Sequence, residues 1–287
     1  MPIQMSYAVA GDRGAETHIL LLHGLFDHRG TWSQLTPHLV AAGCHVIAPD
    51  LIGFGASSRP ALMDRPPHER YSIDTQVGFL RTFIEQLELD DFVLMGNSFG
   101  GGLALRMMCT PWPRAPTIRA LILECAAGHA QAIPPGVQLL AGWPGRLLLH
   151  PSIQALLLAS GLFRWLTRRT LQLAFHDPRL IPPQTLDDAV DVLRLPGTLY
   201  AYRESARNLV PADLGSFPER FRQIDSPTLI IWGREDRIVP PLFGLLFEEE
   251  IPASTLHVFD ECGHAPHLEL PVETAAVIRD WMRRRIA

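Results

Sequence analysis

A pentapeptide in the middle of the chain, residues 96–100, reads G-N-S-F-G and lies between two different patterns. The apolar run at residues 92–95 predicts a buried strand, and residues 100–108 have helical spacing. A serine on a sharp strand-to-helix turn needs small neighbours two residues away on either side, because the backbone is strained there. The pattern therefore predicts that Ser98 stands at a sheet edge, where the first amides of the helix face developing negative charge.

Short apolar runs alternate with helical patterns along the first half of the chain. Uninterrupted apolar runs are typical of strands buried on both faces, and strands that alternate with helices imply parallel crossovers. We therefore expect an α/β fold with a mostly parallel, twisted sheet flanked by helices. The predicted strands are residues 3–9, 18–22, 44–48, 92–95, 120–125, 228–232 and 255–259, and the predicted helices are residues 32–41, 72–87, 100–108 and 272–285.

The alternation stops after the strand predicted at residues 120–125. Residues 128–223 contain prolines, leucines and helical fragments but no clear strand, and strand patterns then resume. One core sheet with a single insertion explains this order better than two independent domains. We expect residues 1–127 and 224–287 to form the core, and residues 128–223 to form a helical cap.

The charge and the cysteines exclude several classes of function. A formal net charge of −5 offers no basic excess for nucleic acid. All 25 basic residues are arginine, which excludes a lysine Schiff base, covalently bound pyridoxal phosphate and a P-loop lysine. The four cysteines are scattered without a zinc or disulfide pattern, so we predict no metal site and a reducing compartment.

The start of the chain, residues 1–5, has neither the basic nor the apolar region of a signal peptide. The longest uncharged stretch, residues 147–163, is interrupted by polar residues and is too short for a spanning helix. We therefore expect a cytoplasmic protein with no integral membrane segment. The sequence leaves the oligomeric state open.

A serine nucleophile needs a base, and the base needs an acid that orients it. Asp236 follows the strand predicted at residues 228–232, and His264 follows the strand predicted at residues 255–259. Both residues therefore lie at carboxyl ends of strands, where α/β sheets gather ligands. The chain order serine, acid, histidine also fits this type of turn. We predict that Ser98, Asp236 and His264 form a catalytic triad.

Other acids and histidines compete for these roles. Glu235 lies beside Asp236 but one position off, and we expect its side chain to point to solvent. Glu124, within an apolar strand, is an alternative acid. His267 is close to His264 in sequence, and we expect it to line the pocket.

Two backbone amides are expected to stabilise the oxyanion that forms during the reaction. One belongs to Phe99, directly after the nucleophile. The other belongs to the H-G-L-F loop after the second predicted strand, where Gly24 permits a close approach. Leu25 is the predicted donor, with Phe26 as the second choice. We expect His23 to brace this loop rather than to act as a base.

Five motifs, in this order, resemble the α/β-hydrolase superfamily of serine hydrolases, and the resemblance covers most of the chain. It implies the fold and triad described above, and it implies that the helical insertion is a cap over the active site. The motifs are H-G-L-F (23–26), A-P-D-L-I-G-F-G-A-S (48–57), G-N-S-F-G-G (96–101), W-G-R-E-D-R-I-V-P (232–240) and C-G-H (262–264).

Within the superfamily, residues 96–98 and 232–234 are similar to carbon–carbon hydrolases of aromatic ring-cleavage products and to their esterase relatives. The chain departs from those hydrolases at residues 25–27, where they have a glycine-rich loop, and at Ala265, where they have tryptophan. A serine rather than an aspartate at position 98 argues against haloalkane dehalogenases and epoxide hydrolases. Because the first central strand comes early, we expect the usual antiparallel first strand to be absent.

The insertion is dense in leucine, phenylalanine and tryptophan. We expect most of these side chains to pack on the core and the rest to form an apolar pocket for hydrophobic acyl or aromatic groups. Phe26, Asn97 and His267 are predicted to contact the substrate. The arginine cluster at residues 164–169 fits a solvated helix end, a carboxylate clamp or a peripheral membrane contact.

The resulting hypothesis is a serine hydrolase that cleaves a small hydrophobic carboxylic ester or related carbonyl compound through an acyl-enzyme. Such a reaction needs no metal or organic cofactor. Hydrolysis of a carbon–carbon bond in a ring-cleavage product is the alternative, and a thioesterase fits the triad equally well. A ligand-binding protein without turnover is also compatible with the scaffold, but the intact triad argues against it.

Overall fold

A seven-stranded sheet forms the centre of the molecule in the computed structural model, which describes residues 2–286. The strand order is β1-β3-β2-β4-β5-β6-β7, and every neighbouring pair is parallel except β1 with β3. The strands are β1 (Tyr7–Ala10), β2 (Thr17–Leu22), β3 (Cys44–Pro49), β4 (Asp91–Asn97), β5 (Thr117–Glu124), β6 (Thr228–Gly233) and β7 (Ser254–Phe259).

Helices cover both faces of this sheet and fill the interval between β5 and β6. Short 3₁₀ helices occupy Arg29–Ser33, Pro178–Leu180 and Phe217–Gln223. The α-helices are α1 (Thr36–Ala41), α2 (Ile73–Gln86), α3 (Phe99–Cys109), α4 (Pro135–Ala141), α5 (Trp143–Leu147), α6 (Pro151–Ala159), α7 (Leu162–Ala174), α8 (Pro183–Arg194), α9 (Thr198–Arg207), α10 (Leu242–Glu250), α11 (Pro266–Glu269) and α12 (Pro271–Arg285).

The buried central strands explain the uninterrupted apolar runs in the sequence. Successive residues of a strand point to opposite faces, so both faces of β2 need apolar side chains. Leu20 packs in one core cluster with Leu80 of α2 and Leu103 of α3. Leu21 packs in the other cluster with Leu39 of α1, on the opposite face of the sheet. The predicted α/β-hydrolase fold, with a mostly parallel sheet flanked by helices, is confirmed.

The first strand corrects one expectation. An antiparallel strand, β1, pairs with β3 in a register that sets Tyr7 opposite Pro49 and Ala10 opposite Val46. The prediction that this strand is absent was wrong. The strand predicted at residues 3–9 overlaps β1 at residues 7–9, but its antiparallel pairing was not predicted. Strand β1 is an edge strand of only four residues, three of them exposed.

Residues 125–227, all of which the structure describes, contain helices and turns but no strand. The predicted limits of core and cap remain predictions, and residues 1 and 287 at the outer ends lie outside the described residues. Among the described residues, no helix is both long enough and apolar enough to span a bilayer.

The packing of the inserted helices differs from expectation. Most of their large apolar side chains were expected to pack on the core, yet Phe163 is the buried one among those of α4–α7. The helices α5, α6 and α7 form their main contacts with neighbouring inserted helices rather than with the sheet. Each of them therefore has one packed side and one open side. The residues more than 40% exposed include Leu139, Trp143, Leu147, Leu156, Leu162, Trp165, Leu166 and Leu173.

Candidate active site

The turn between β4 and α3 holds Ser98 in a backbone conformation that side chains rarely adopt, with φ of +53° and ψ of −116°. Both flanking glycines are required, because a side chain at either position would collide with neighbouring backbone atoms. A Cβ on Gly96 would lie 2.3 Å from the carbonyl oxygen of Gly100, and a Cβ on Gly100 would lie 2.2 Å from the carbonyl oxygen of Leu22. The two glycines of G-N-S-F-G are therefore needed for the strained turn to pack against β2.

Backbone hydrogen bonds fix this turn from both sides. The Ser98 N–H donates to the carbonyl oxygen of Glu124 at 3.0 Å. The Ser98 carbonyl oxygen accepts from the N–H groups of Gly102 at 3.1 Å and Ala127 at 2.9 Å. The strain at Ser98 is thus held by the end of β5, the residues that follow it and the first turn of α3.

A histidine–carboxylate pair forms at the ends of β6 and β7. His264 Nδ1 lies 2.7 Å from Asp236 Oδ2, and the other carboxylate oxygen accepts from the N–H groups of Ile238 and Val239 at 2.8 and 2.9 Å. An ionised carboxylate only accepts hydrogen bonds, so the proton between the pair belongs to Nδ1. The lone pair of His264 is then on Nε2, the nitrogen that a general base uses in a triad.

Three contacts position the His264 loop. The His264 N–H donates to the carbonyl oxygen of Ala174, the last residue of α7, at 2.6 Å. The Gly263 N–H donates to Glu269 Oε1 at 2.8 Å, and the other oxygen of that buried carboxylate accepts from the His176 N–H at 2.7 Å. Burial raises the pKa of Glu269, and these hydrogen bonds oppose that rise. The inserted helices therefore end directly against the histidine loop.

The nucleophile turn meets the histidine loop through Asn97, whose side-chain amide donates to the His264 carbonyl oxygen at 3.2 Å. The H-G-L-F loop closes the other side, since a Cβ on Gly24 would lie 3.5 Å from Ser98 Cβ. Ser98 Oγ forms no hydrogen bond within residues 2–286. The hydrogen bond between a nucleophile and its base is often long without substrate and shortens when substrate binds.

The loop after β2 offers free donors beside Ser98. Neither Leu25 nor Phe26 donates its N–H to any acceptor in the described part of the chain, and the same holds for Phe99 at the start of α3. His23 is fully buried; its Nδ1 donates to the carbonyl oxygen of Gly24 at 2.8 Å, and its Nε2 accepts from a backbone N–H at 3.0 Å. Burial lowers the pKa of His23, which keeps the ring neutral. His23 therefore braces the loop, as its position in the sequence suggested.

Phe26 has a positive φ of +62°, and its ring stacks on Tyr202 of α9 with centroids 4.7 Å apart. The Tyr202 hydroxyl donates to the Phe26 carbonyl oxygen at 3.3 Å. Helix α9 thus holds this loop from the side of the inserted helices. No local pattern indicates this contact, because the two residues lie far apart in the chain.

Two residues that were predicted to contact the substrate form hydrogen bonds within the protein. His267 is 1% exposed; its Nδ1 lies 2.6 Å from Glu124 Oε2, and its Nε2 lies 2.7 Å from Thr31 Oγ1. Asn97 is 4% exposed, and its amide nitrogen donates to the same Glu124 carboxylate at 3.0 Å. Protein groups thus occupy both ring nitrogens of His267 and the amide nitrogen of Asn97, so these atoms are engaged within the protein. Glu124, weighed as an alternative acid, pairs with His267 and not with His264.

Glu235 also differs from expectation. Its carboxylate turns inward and accepts from the Cys262 N–H at 2.9 Å, so it supports the histidine loop instead of pointing to solvent. Cys125, Asp236 and His264 place three potential metal-ligand atoms within 4.8 Å of one another. However, burial raises the pKa of the Cys125 thiol well above its usual value, and the other two atoms bond to each other. These residues do not suit a metal ion, which needs the thiolate.

A cleft of about 430 Å³ lies between α4 and α9. Its wall includes Ala206, one helical turn after Tyr202, and Arg207. Arg207 and Arg203 both bond to the carboxylate of Glu204, which is 2% exposed. One carboxylate between two guanidinium groups leaves an excess positive charge on α9.

Comparisons with known proteins agree with this geometry. The family model described as "alpha/beta hydrolase fold" matches residues 17–271. The chain is 29% identical to 2-hydroxymuconate semialdehyde hydrolase of Pseudomonas sp. strain CF600, over 94% of this chain and 88% of that protein. It is also 29% identical to monoacylglycerol lipase ABHD6 of Mus musculus, over 97% and 79% of the two chains. The meta-cleavage product hydrolase CumD of Pseudomonas fluorescens IP01, solved as an alanine variant with acetates, superposes with a TM-score of 0.76 at 26% identity over 98% of this chain and 95% of that one.

Proposed function

The chain belongs to the alpha/beta hydrolase fold family, and on that premise we propose that it is a serine hydrolase whose nucleophile, base and orienting acid are Ser98, His264 and Asp236. The observation that carries this proposal is the His264–Asp236 hydrogen bond of 2.7 Å beside the strained serine turn. It fixes the tautomer in which Nε2 accepts the proton of Ser98.

The chemical steps follow from these positions. Ser98 Oγ attacks a substrate carbonyl carbon while His264 takes the hydroxyl proton, and Asp236 stabilises the imidazolium that forms. The amides of Phe99 and of Leu25, with Phe26 as the second choice, stabilise the oxyanion. Removal of one such donor typically costs about 10²–10³ in rate. His264 then returns the proton to the leaving group and activates the water that releases the acyl group.

The bond we propose is the carbon–carbon bond next to the 6-oxo carbonyl of a 2-hydroxy-6-oxo-dienoate. Relatives named as hydrolases of 2-hydroxymuconate semialdehyde and of 2-hydroxy-6-oxo-2,4-heptadienoate support this choice over the carboxylic ester that the sequence alone favoured. After the substrate ketonises, the departing carbon leaves as an enolate delocalised into the new 2-oxo group. Water supplies OH to the acyl fragment and a proton to the carbon fragment, so atoms balance without a cofactor.

The charge on α9 also supports an anionic substrate. A dienoate carries a carboxylate, and Arg207 lines the cleft between α4 and α9 with a guanidinium that shares its one carboxylate partner with Arg203. Guanidinium groups bind carboxylates strongly, often through two parallel hydrogen bonds. We therefore assign Arg207 to the carboxylate end of the substrate, and Phe26 to its apolar part.

A carboxylic ester of a hydrophobic acid is the second candidate. It is favoured by the similarity to monoacylglycerol lipases and by two departures from the carbon–carbon hydrolases that are visible in the chain. Leu25 and Phe26 replace the glycine-rich loop, and Ala265 replaces the tryptophan after the catalytic histidine.

The test compares substrates under identical conditions. The purified enzyme is given a ring-cleavage dienoate, whose visible absorbance disappears on cleavage, and p-nitrophenyl esters and a thioester of matched acyl length. We expect faster turnover of the dienoate, loss of all turnover in Ser98→Ala, and a raised KM for the dienoate alone in Arg207→Gln. Arg194→Gln, an exposed arginine of α8 paired with Asp191, is the matched control. Ester turnover without bleaching of the dienoate would move the proposal to the second candidate, and turnover retained by Ser98→Ala would overturn both.

A further inference from the structure

Helix α7 presents an apolar stripe to the outside of the molecule. Leu162, Trp165, Leu166 and Leu173 lie at helical spacing on one side and are 41%, 52%, 45% and 54% exposed. An amphipathic helix of a globular protein normally turns such a stripe toward the core. Here Phe163, on another side of the helix, is the buried anchor. The apolar stripe of α7 has no partner within the described chain.

The two preceding helices also expose large apolar side chains. Trp143 and Leu147 of α5 are 74% and 51% exposed, and Leu156 of α6 is 67% exposed. Only three residues connect α5 to α6, and α6 packs on α7. Large exposed apolar patches on soluble proteins mark interaction sites. We call the six residues Trp143, Leu147, Leu156, Leu162, Trp165 and Leu166 the outer face of α5–α7.

The segment that carries the outer face contains basic residues but no acidic ones. All 30 Asp and Glu residues of the chain lie outside residues 125–176, whereas Arg146, Arg164, Arg168 and Arg169 lie within that range. Arg164 reaches an aspartate of α8 at 2.5 Å, but no carboxylate lies within 4.0 Å of Arg168 or Arg169 in the described structure. The guanidinium of Arg169 instead lies over the Trp165 ring, 5.5 Å from its centroid. A chain of net charge −5 thus carries its exposed apolar residues of α5–α7 on a segment that has arginines and no acidic residue.

We propose that the outer face of α5–α7 docks on the surface of a lipid bilayer that contains anionic lipids. This goes beyond the proposed function, since it does not depend on which bond is cleaved. Helices that lie in the plane of a bilayer combine tryptophan and leucine on one side with arginine beside them. The exposed tryptophans suit the interfacial region, and the unpaired arginines attract lipid phosphates. Ala174, at the end of α7, contacts His264, so the docked helix ends at the active-site loop.

The same charges argue against a second copy of this chain as the occupant. A symmetric dimer would bring the outer face against itself, because the same patch is used on both subunits. Arg168 and Arg169 would then face the arginines of the partner without an acidic residue from this segment. An anionic bilayer instead supplies the opposite charge across the whole surface.

The experiment measures co-sedimentation of the full chain with vesicles of phosphatidylcholine, with or without an equal part of phosphatidylglycerol. We expect binding to the anionic vesicles that weakens as salt rises. The triple variant Leu162→Ser, Trp165→Ser, Leu166→Ser should bind at least about tenfold more weakly, because it loses the apolar contact. The pair Arg168→Gln, Arg169→Gln should lose about fivefold for each arginine. Turnover of a soluble substrate should stay unchanged in both variants.

Two matched controls remove the same groups elsewhere. Leu242→Ser with Leu245→Ser changes leucines of α10 that are 59% and 55% exposed, and Arg283→Gln with Arg284→Gln changes exposed arginines of α12. Both controls should bind within about twofold of the unmodified chain. Failure of the unmodified chain to bind anionic vesicles would overturn the proposal, as would equal binding by the triple variant. Self-association that the triple variant abolishes, in a chain that ignores vesicles, would assign the outer face to a second copy instead.

Discussion

Two histidines that are three residues apart in the chain each pair with a carboxylate. His264 bonds to Asp236 at 2.7 Å, and His267 bonds to Glu124 at 2.6 Å. The difference lies at the second ring nitrogen. Nε2 of His267 bonds to a threonine hydroxyl at 2.7 Å, whereas Nε2 of His264 has no protein partner among the described residues. Pairing with a carboxylate is therefore common to both histidines, and the free second nitrogen of His264 is what supports our proposal that His264, and not His267, is the base.

The two histidines also differ in their exposure to solvent. His267 is 1% exposed and packs against the tilted ring of Trp32, while His264 is 8% exposed and lies on a loop beside Ser98. Both pairs are linked through Asn97, which donates to Glu124 and to the His264 carbonyl oxygen. We call His267–Glu124 the sealed pair, because both ring nitrogens are bonded, and His264–Asp236 the open pair. Through Asn97, the sealed pair supports the loop that carries His264.

The largest expected effect comes from Asp236→Asn. The substitution keeps the size of the side chain but favours the wrong histidine tautomer, so we predict a fall of about 10⁴ in kcat with an unchanged fold. Steady-state kinetics and a thermal melt measure the two quantities. Glu235→Gln is the neighbouring control; it keeps an acceptor for the Cys262 N–H and should lose less than about tenfold. Equal losses in both variants would mean that Asp236 has no special role.

Loss of the sealed pair should lower the free energy of unfolding more than it lowers activity. His267→Ala removes the imidazole from the buried Glu124 carboxylate, which keeps its bonds from Asn97 and from the N–H of residue 267. Loss of one partner of a buried pair typically costs about 3–5 kcal/mol in the free energy of unfolding. Urea denaturation measures this loss, and the fraction that stays folded should retain kcat within about tenfold. A fall of kcat by three orders of magnitude without a loss of stability would place His267 in the reaction and erase the contrast between the pairs.

A smaller change tests the second nitrogen of the sealed pair alone. Thr31→Val keeps the shape of the side chain but leaves Nε2 of His267 unsatisfied, so we predict a loss of about 1–3 kcal/mol in unfolding free energy. Turnover should not change. Thr31→Ser, which keeps the hydroxyl, serves as the control in the same denaturation series. Unchanged stability in the valine variant would show that this bond contributes nothing.

The smallest effect concerns the loop after β2, which we propose stabilises the oxyanion. Tyr202→Phe removes the hydroxyl that donates to the Phe26 carbonyl oxygen, but it keeps the stacked ring. One neutral hydrogen bond contributes about 0.5–1.5 kcal/mol, so kcat should fall by no more than about tenfold. A larger fall would show that the hydroxyl takes part in substrate binding, which a series of KM values would reveal.

The sequence predicted the features that depend on neighbours along the chain. The strain at Ser98 requires Gly96 and Gly100, and that requirement is visible as a local motif. The central strands were recognised because burial on both faces demands continuous apolar residues. Helix α10 was missed, since its apolar residues form a run without the spacing of one buried side.

Contacts between distant segments could not be predicted in this way. The network of Thr31, His267 and Glu124 joins three remote parts of the chain, and His267 was therefore assigned to the pocket. The inward turn of Glu235 depends on the loop after β7, which its own neighbours do not specify. The exposure of the leucines in α5–α7 depends on how the inserted helices pack, and a local pattern specifies apolar spacing but not the side that faces the core.

The central claim is that Ser98 is an activated nucleophile, and labelling with a fluorophosphonate tests it most directly. The reagent forms a covalent bond only with a serine whose proton is removed by a base. We predict a single adduct, located by peptide mass at Ser98, that is absent in Ser98→Ala and forms much more slowly in Asp236→Asn. A folded chain that never reacts, or an adduct that persists in Ser98→Ala, would contradict the account.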